Sequence, residues 1–172
     1  FVELMRGLDK SSKFDCEVIV LESKENTYYD DIFKFKHNLH FLARKSRYDF
    51  TIFSSLIKLT KKFRPDVIHC WGSMSAVYIL PIVSLIKTKL LYTISDAPPQ
   101  IKYLSSLWWR TKLVFPFSSF IIANSKAGLF SYNVNPQKGI VIYNGFDFNR
   151  LEKSYSKETI CSRYDINHST VI

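Results

Sequence analysis

The apolar residues of this chain fall into short runs closed by turn-forming residues, and these runs alternate with stretches of helical spacing. Cys16 to Leu21, Asp66 to Cys70, Leu90 to Thr93, Phe120 to Ala123 and Ile140 to Tyr143 predict strands. Between them, 1–8 and 50–63 have apolar residues on one side at helical spacing, 74–86 reads as a helix apolar almost all round, and further helices are expected at 104–114, 126–132 and 157–164. Asp49 is positioned to cap the second of these helices and Pro65 to end it. Pro81 falls inside the third, where it is expected to kink the chain. The segment 27–47 has no single period. Thr27 and Asp30 have the spacing of a weak capping box, and Ile32 to Lys36 alternates as an edge strand would.

The stretch 119–151 is the most informative. Phe120-Ile121-Ile122-Ala123 is fully apolar, which predicts a strand buried on both faces. Asn124-Ser125 closes it and can cap the next helix, because either side chain accepts from an orphan backbone N–H. Asn133 to Pro136 breaks that helix, and a second strand then stops at Asn144-Gly145, where glycine permits a sharp turn. Strand, helix, strand is the βαβ unit of a parallel sheet, so the fold class expected is α/β, a Rossmann-like parallel sheet with flanking helices. In such sheets ligands bind beyond the carboxyl ends of the strands.

That rule selects the candidate residues. The loops after the expected strands carry Trp71, Gly72 and Ser73, then Ser95 and Asp96, then Asn124 and Ser125, then Asn144 and Gly145. Hydroxyls, amides and one carboxylate on a single rim suit a sugar, whose several hydroxyls all need partners, and Trp71 can stack on a sugar face. Each residue also has a purely structural role open to it: Asn124, Ser125 and Asn144 can cap helices or make turns. His69 and Asp96 are the candidate catalytic groups. A lone histidine at a strand end is equally a structural hydrogen-bonding residue.

Composition adds bounds. The 172 residues are enough for one domain with its own core, and 47% apolar content argues against disorder. The three cysteines, Cys16, Cys70 and Cys161, have no metal-ligand spacing, and Cys16 and Cys70 fall in expected strands. They read as buried reduced thiols of a cytoplasmic protein. No DxD-like acidic cluster calls for a metal, and no cofactor is expected. The longest apolar run, Met74 to Ile86, is short of the ~20 residues that span a bilayer.

Net charge is +9, and much of it sits in one tract. Lys34, Lys36, Arg44, Lys45, Arg47, Lys58, Lys61, Lys62 and Arg64 are nine basic residues against Asp49 alone. With Phe33, Phe35, Phe41 and Phe50 interleaved, Lys34–Arg64 can meet an anionic membrane surface, giving a peripheral seat on its inner face, or it can be a solvated face. Trp108-Trp109-Arg110 can anchor at an interface, or one Trp can pack in the core. A nucleic-acid partner is disfavoured, because no recognised motif accompanies the charge.

Ile122-Ala123-Asn124-Ser125, followed by Val141-Ile142-Tyr143-Asn144-Gly145-Phe146-Asp147, resembles the end of the N-terminal domain of the GT4-type retaining glycosyltransferases, which have the GT-B fold. Arg64-Pro65-Asp66-Val67-Ile68-His69 resembles a strand entry of the same domain. The resemblance implies one half of a GT-B fold. Residues 1–150 would be an acceptor-side domain missing its first strand, and 151–172 an interdomain linker with the start of a donor-binding domain. The chain starts on Phe1 and stops on Thr170-Val171-Ile172, so a fragment is expected. In the resembled family the loop after the first strand is glycine-rich and lies against the donor phosphates, and paired glutamates of the other half bind the donor. The implied activity is sugar transfer, with retention, from a nucleotide-sugar to a lipid-linked or saccharide acceptor in polysaccharide or lipopolysaccharide biosynthesis. The family commonly has a histidine in the loop that reads Thr93-Ile94-Ser95-Asp96 here. Its absence leaves Ser95 or Asp96 for that role, or a different acceptor chemistry. The alternative is a non-catalytic membrane- or partner-binding subunit of a split transferase.

Overall fold

The computed structural model describes residues 1–11, 13–23, 30–34, 37–46, 49–96, 101–145, 148 and 155–164. The elements in chain order are α1 (Val2–Lys10), β1 (Glu17–Val20), a 3-10 turn (Asp30–Lys34), β2 (Asn38–Phe41), α2 (Ile52–Phe63), β3 (Val67–Trp71), α3 (Ser73–Ile86), β4 (Lys89–Ile94), α4 (Ser106–Phe117), β5 (Phe120–Ala123), α5 (Lys126–Ser131), β6 (Gly139–Val141) and α6 (Lys157–Arg163). Every strand pair is parallel. The fold is therefore the Rossmann-like α/β arrangement expected, with the strands divided between a two-stranded sheet, β1-β2, and a four-stranded sheet, β3-β4-β5-β6.

All five expected strands form, within a residue or two of their expected ends. The segment 27–47 differs from expectation. Ile32 to Lys36 does not make an edge strand: Asp30–Lys34 is a 3-10 turn that buries Ile32, with Phe33 stacked 5.8 Å from Phe41. The strand there is β2, whose polar sequence Asn38-Leu39-His40-Phe41 has no apolar run to announce it. It is held by its pairing with β1, where His40 Nε2 lies 3.1 Å from Glu17 Oε2. Thr27, half of the expected capping box, lies outside the described residues. Asp49 sits just ahead of α2: its carboxylate accepts from the amides of Lys45 at 2.8 Å and Thr51 at 2.9 Å, and hydrogen bonding from the Thr51 side chain and these amides holds it below the usual carboxylate range. α4 begins at Ser106, two residues later than expected, because Leu104 takes a left-handed φ of 59° and Ser105 caps the helix through the Trp108 amide. Within it Trp108 is half-buried, 5.0 Å from the Tyr103 ring, and Trp109 is exposed.

Side chains alternate along a strand, and in-register neighbours share a face. Cys70, Leu90, Tyr92, Ile94, Ile121 and Ala123 therefore point the same way and pack with Ala76, Ile79, Ile82 and Val83 of α3 and Val114 of α4. Each fully buried aliphatic side chain contributes about 1.5–3 kcal/mol relative to exposure. The opposite face carries Val67, His69, Trp71, Leu91, Thr93, Phe120, Ile122 and Ile140, several of them well exposed. The expectation that Phe120–Ala123 is buried on both faces is thus corrected: its burial alternates, because the packed helices cover one face. Cys16 is likewise half-buried and one residue ahead of β1, while Cys70 is buried within β3.

No helix among the described residues is long and apolar enough to cross a membrane. Of the basic tract, Lys34, Lys45, Lys58, Lys61, Lys62 and Arg64 are exposed, Arg44 is half-buried, and Lys36 and Arg47 lie outside the described residues.

Candidate functional site

Four strand ends meet along the carboxyl edge of β3-β4-β5-β6. β3 ends at Trp71, and Gly72 takes φ 92°, a turn that L side chains resist, before α3 starts at Ser73. β4 ends at Ile94, leaving Ser95 and Asp96 exposed. β5 ends at Ala123, in register with Ile94, so Asn124 emerges beside Ser95. The Asn124 side-chain amide donates to the Ser95 carbonyl at 3.4 Å, which ties the two loops together on one edge. The Tyr132 hydroxyl donates to Asp96 Oδ1 at 2.8 Å. Burial, and then this bond, push the Tyr132 phenol well above its ordinary value, so it remains the donor.

The other sequence-selected residues separate by role. Ser125 caps α5: its Oγ accepts from the Gly128 amide at 3.1 Å. Ser73 Oγ accepts from Arg110 Nη1 at 3.2 Å. Asn144 and Gly145 are exposed, three and four residues past the end of β6. His69 lies in the body of β3, on the sheet face away from α3, and not on the rim. Its Nε2 and Thr93 Oγ1 share a hydrogen bond of 2.6 Å, and its ring lies 5.2 Å from that of Trp71. Burial lowers its pKa below the ordinary histidine value. The Phe1 ring lies 5.8 Å from that of Trp71, edge-on. The geometry therefore groups Ser95, Asp96 and Asn124, and separates them from His69.

Two cavities lie on the described structure. One, of about 280 Å³, is lined by Glu22, Arg44, Ser46, Met74 and Arg110, from the loops after β1 and β2, the first turn of α3, and α4. The other is a groove of about 440 Å³ between α4 and the segment after α5, lined in part by Trp108, Phe115, Tyr132 and Lys138. Lys138 Nζ is already committed there, donating to the carbonyls of Phe115, Pro116 and Ser118. Sequence reasoning passes over Tyr132, Arg44 and Arg110. The first is the last residue of an expected helix, and the arginines belong by sequence to a charge tract and an aromatic anchor. Among the described residues no three His, Cys, Asp or Glu side chains come together to hold a metal.

The family model of Glycosyltransferase Family 4 matches residues 1–150. No curated protein matches the sequence. Among solved structures, Anabaena HepE in complex with UDP and glucose has a similar fold, with a TM-score of 0.69 at 16% identity over 95% of this chain and 46% of HepE. HepE in complex with UDP gives 0.65 at 16% identity over 95% of this chain and 45% of HepE. HepE in complex with UDP-glucose gives 0.56 at 18% identity over 74% and 35%. The chain thus spans less than half the length of these structures.

Proposed function

We propose that this chain, which belongs to Glycosyltransferase Family 4, forms the acceptor-side half of an enzyme that moves a sugar, with retention, from a nucleotide-sugar to a saccharide or lipid-linked acceptor in polysaccharide or lipopolysaccharide assembly. Residues 1–150 would be the domain and 151–172 the link to a donor-binding half. A nucleotide-sugar donor is supported by HepE, which is similar in fold and is seen with UDP, with UDP and glucose, and with UDP-glucose. The nucleotide-sugar is a substrate, and the reading calls for no cofactor.

The observation that carries the reading is the convergence of Ser95, Asp96 and Asn124 on one strand edge. In the transfer, the bond between the sugar's anomeric carbon and the donor phosphate breaks. A bond to an acceptor oxygen forms, and the acceptor's proton leaves with the departing phosphate. The rim's task is to hold the acceptor hydroxyl against that carbon, since orientation supplies much of the rate. Asp96 suits this: Tyr132 fixes one carboxylate oxygen, and the other, with no hydrogen-bond partner among the described residues, can meet a substrate hydroxyl. In the complete enzyme, Ser95→Ala and Asn124→Ala should each lower kcat/KM by severalfold to about a hundredfold with little change in melting temperature. If both variants keep full kcat/KM while melting earlier, the rim is scaffold and the proposal fails.

A further inference from the structure

The cavity lined by Glu22, Arg44, Ser46, Met74 and Arg110 carries chemistry that the rim does not explain. Its two arginines come from different parts of the fold, one from the loop after β2 and one from α4. Both are half-buried. Among the described residues each is oriented by one neutral hydrogen bond. Arg44 Nε donates to the Leu21 carbonyl at 3.0 Å, with its guanidinium 5.8 Å from the Tyr78 ring centre. Arg110 Nη1 donates to Ser73 Oγ at 3.2 Å. Neither makes an ion pair with a carboxylate among the described residues. Glu22 lines the same cavity, and its Oε1 accepts from the Ser23 amide at 3.0 Å.

Guanidinium groups stay charged at all working pH, and their planar forks match phosphate oxygens. Two half-buried cations and the single carboxylate of Glu22 line this cavity, and neither cation is ion-paired among the described residues, so the site keeps a net positive charge that an anion would complete, because partly desolvated charge is costly when left uncompensated. α3 adds to the site. Gly72, with no side chain, precedes it, so its first-turn amides beside Met74 have no side-chain cap. The cavity is larger than a phosphate ion and opens on the carboxyl-end side of both sheets, next to the rim.

We propose that this pocket binds a phosphoryl group carried by the acceptor. The assignment to the acceptor rests on the acceptor-side reading above; the pocket's preference for a phosphoryl group does not. A soluble sugar phosphate and a lipid phosphate carry the same recognised group.

The test measures binding of inorganic pyrophosphate to the full chain by calorimetry. Arg110→Gln and Arg44→Gln should each weaken it by about ten- to a hundredfold, the loss of one charge-assisted contact. Lys58→Gln, on the exposed side of α2, should leave it unchanged. Arg44 also packs on Tyr78, so Arg110→Gln carries the test alone if Arg44→Gln melts early. Displacement of pyrophosphate by glucose 1-phosphate identifies a soluble acceptor, and displacement by vesicles containing a lipid phosphate identifies a lipid-linked one. Equal weakening by Lys58→Gln, equally tight binding of acetate, or no binding of pyrophosphate overturns the pocket. Displacement by UDP alone overturns the acceptor assignment. If pyrophosphate binding depends on Arg110 while the complete enzyme turns over no nucleotide-sugar, the transferase reading fails and the pocket stands. If transfer activity is full while pyrophosphate binding is indifferent to both arginines, the pocket fails and the transferase reading stands.

Discussion

The two faces of the β3-β4-β5-β6 sheet are built from alternating residues of the same strands, yet they have different fates. On one face Cys70, Leu90, Tyr92, Ile94, Ile121 and Ala123 are buried in the core. On the other, Val67 is 45% exposed, Phe120 44% and Ile140 39%, although all three are apolar. The difference teaches what each face does for the site. The sealed face holds four strands in register, so their carboxyl ends form one edge and Ser95 meets Asn124. The open face contributes little to that register. On it His69 and Thr93 hydrogen-bond each other.

The largest expected effect tests the seal. Cys70 and His69 are neighbours on β3 that face opposite ways. Burial pushes the Cys70 thiol up to about 12 from its ordinary 9.0. Only the thiolate reacts, so at pH 8 the reactive fraction should fall about a thousandfold before occlusion is counted. Brief treatment of the native protein with iodoacetamide should label Cys161 of the exposed helix α6 and spare Cys70, as read by peptide mass spectrometry. Unfolding in urea should expose all three thiols. Labelling of Cys70 at the rate of Cys161 in the native state would mean that the two faces are alike.

A second, smaller effect sharpens the contrast within one strand. Ile121 is 1% exposed and its neighbour Phe120 is 44% exposed. Truncating a sealed aliphatic leaves a cavity as well as losing transfer energy, so Ile121→Ala should cost about 2–5 kcal/mol. Phe120→Ala removes more atoms but only half-buried ones, and should cost about 1 kcal/mol. Urea unfolding midpoints at constant m give the comparison. Equal losses would show that the Phe120 face is covered as tightly as the other.

This contrast also marks how far the sequence can be read. The strands are legible because each is an apolar run closed by a turn signal such as Asn124-Ser125, and parallel topology then puts their ends on one rim. Periodicity says which residues are apolar, not what lies over them, so it does not reveal the open face at Phe120 and Ile140. β2 is illegible because Asn38 and His40 find their partner, Glu17, only after the chain has folded. The bond from Tyr132 to Asp96 and the pocket shared by Arg44 and Arg110 join residues far apart in sequence, and no local spacing encodes them. His69 draws attention as a lone histidine at a strand end, and its hydrogen bond to Thr93, on the next strand, is another contact that no local spacing encodes.

The smallest expected effect concerns that histidine. His69 sits on the open face with Thr93 Oγ1 at 2.6 Å and Trp71 beside it. Partial burial holds its folded-state pKa below the unfolded value of about 6.5. The unfolded chain therefore takes up a proton that the folded chain refuses. Stability rises with pH wherever the unfolded state binds more protons, so His69 costs nothing well above pH 6.5. Its penalty sets in as pH falls through about 6.5, and grows until the lower folded pKa is passed. His69→Gln keeps a hydrogen-bonding group for Thr93 but cannot titrate. The variant should lose less stability than the parent between pH 7.5 and 5.5 and match its slope above pH 7.5, with the other three histidines, His37, His40 and His168, present in both. The effect should be well below that of Ile121→Ala, because the face is only partly closed. Parallel urea midpoints across the whole range would mean that His69 is solvated, and that the open face does not bury even its polar pair. A parent that gains stability relative to the variant on acidification would put an anion beside His69, reversing the sign argued here.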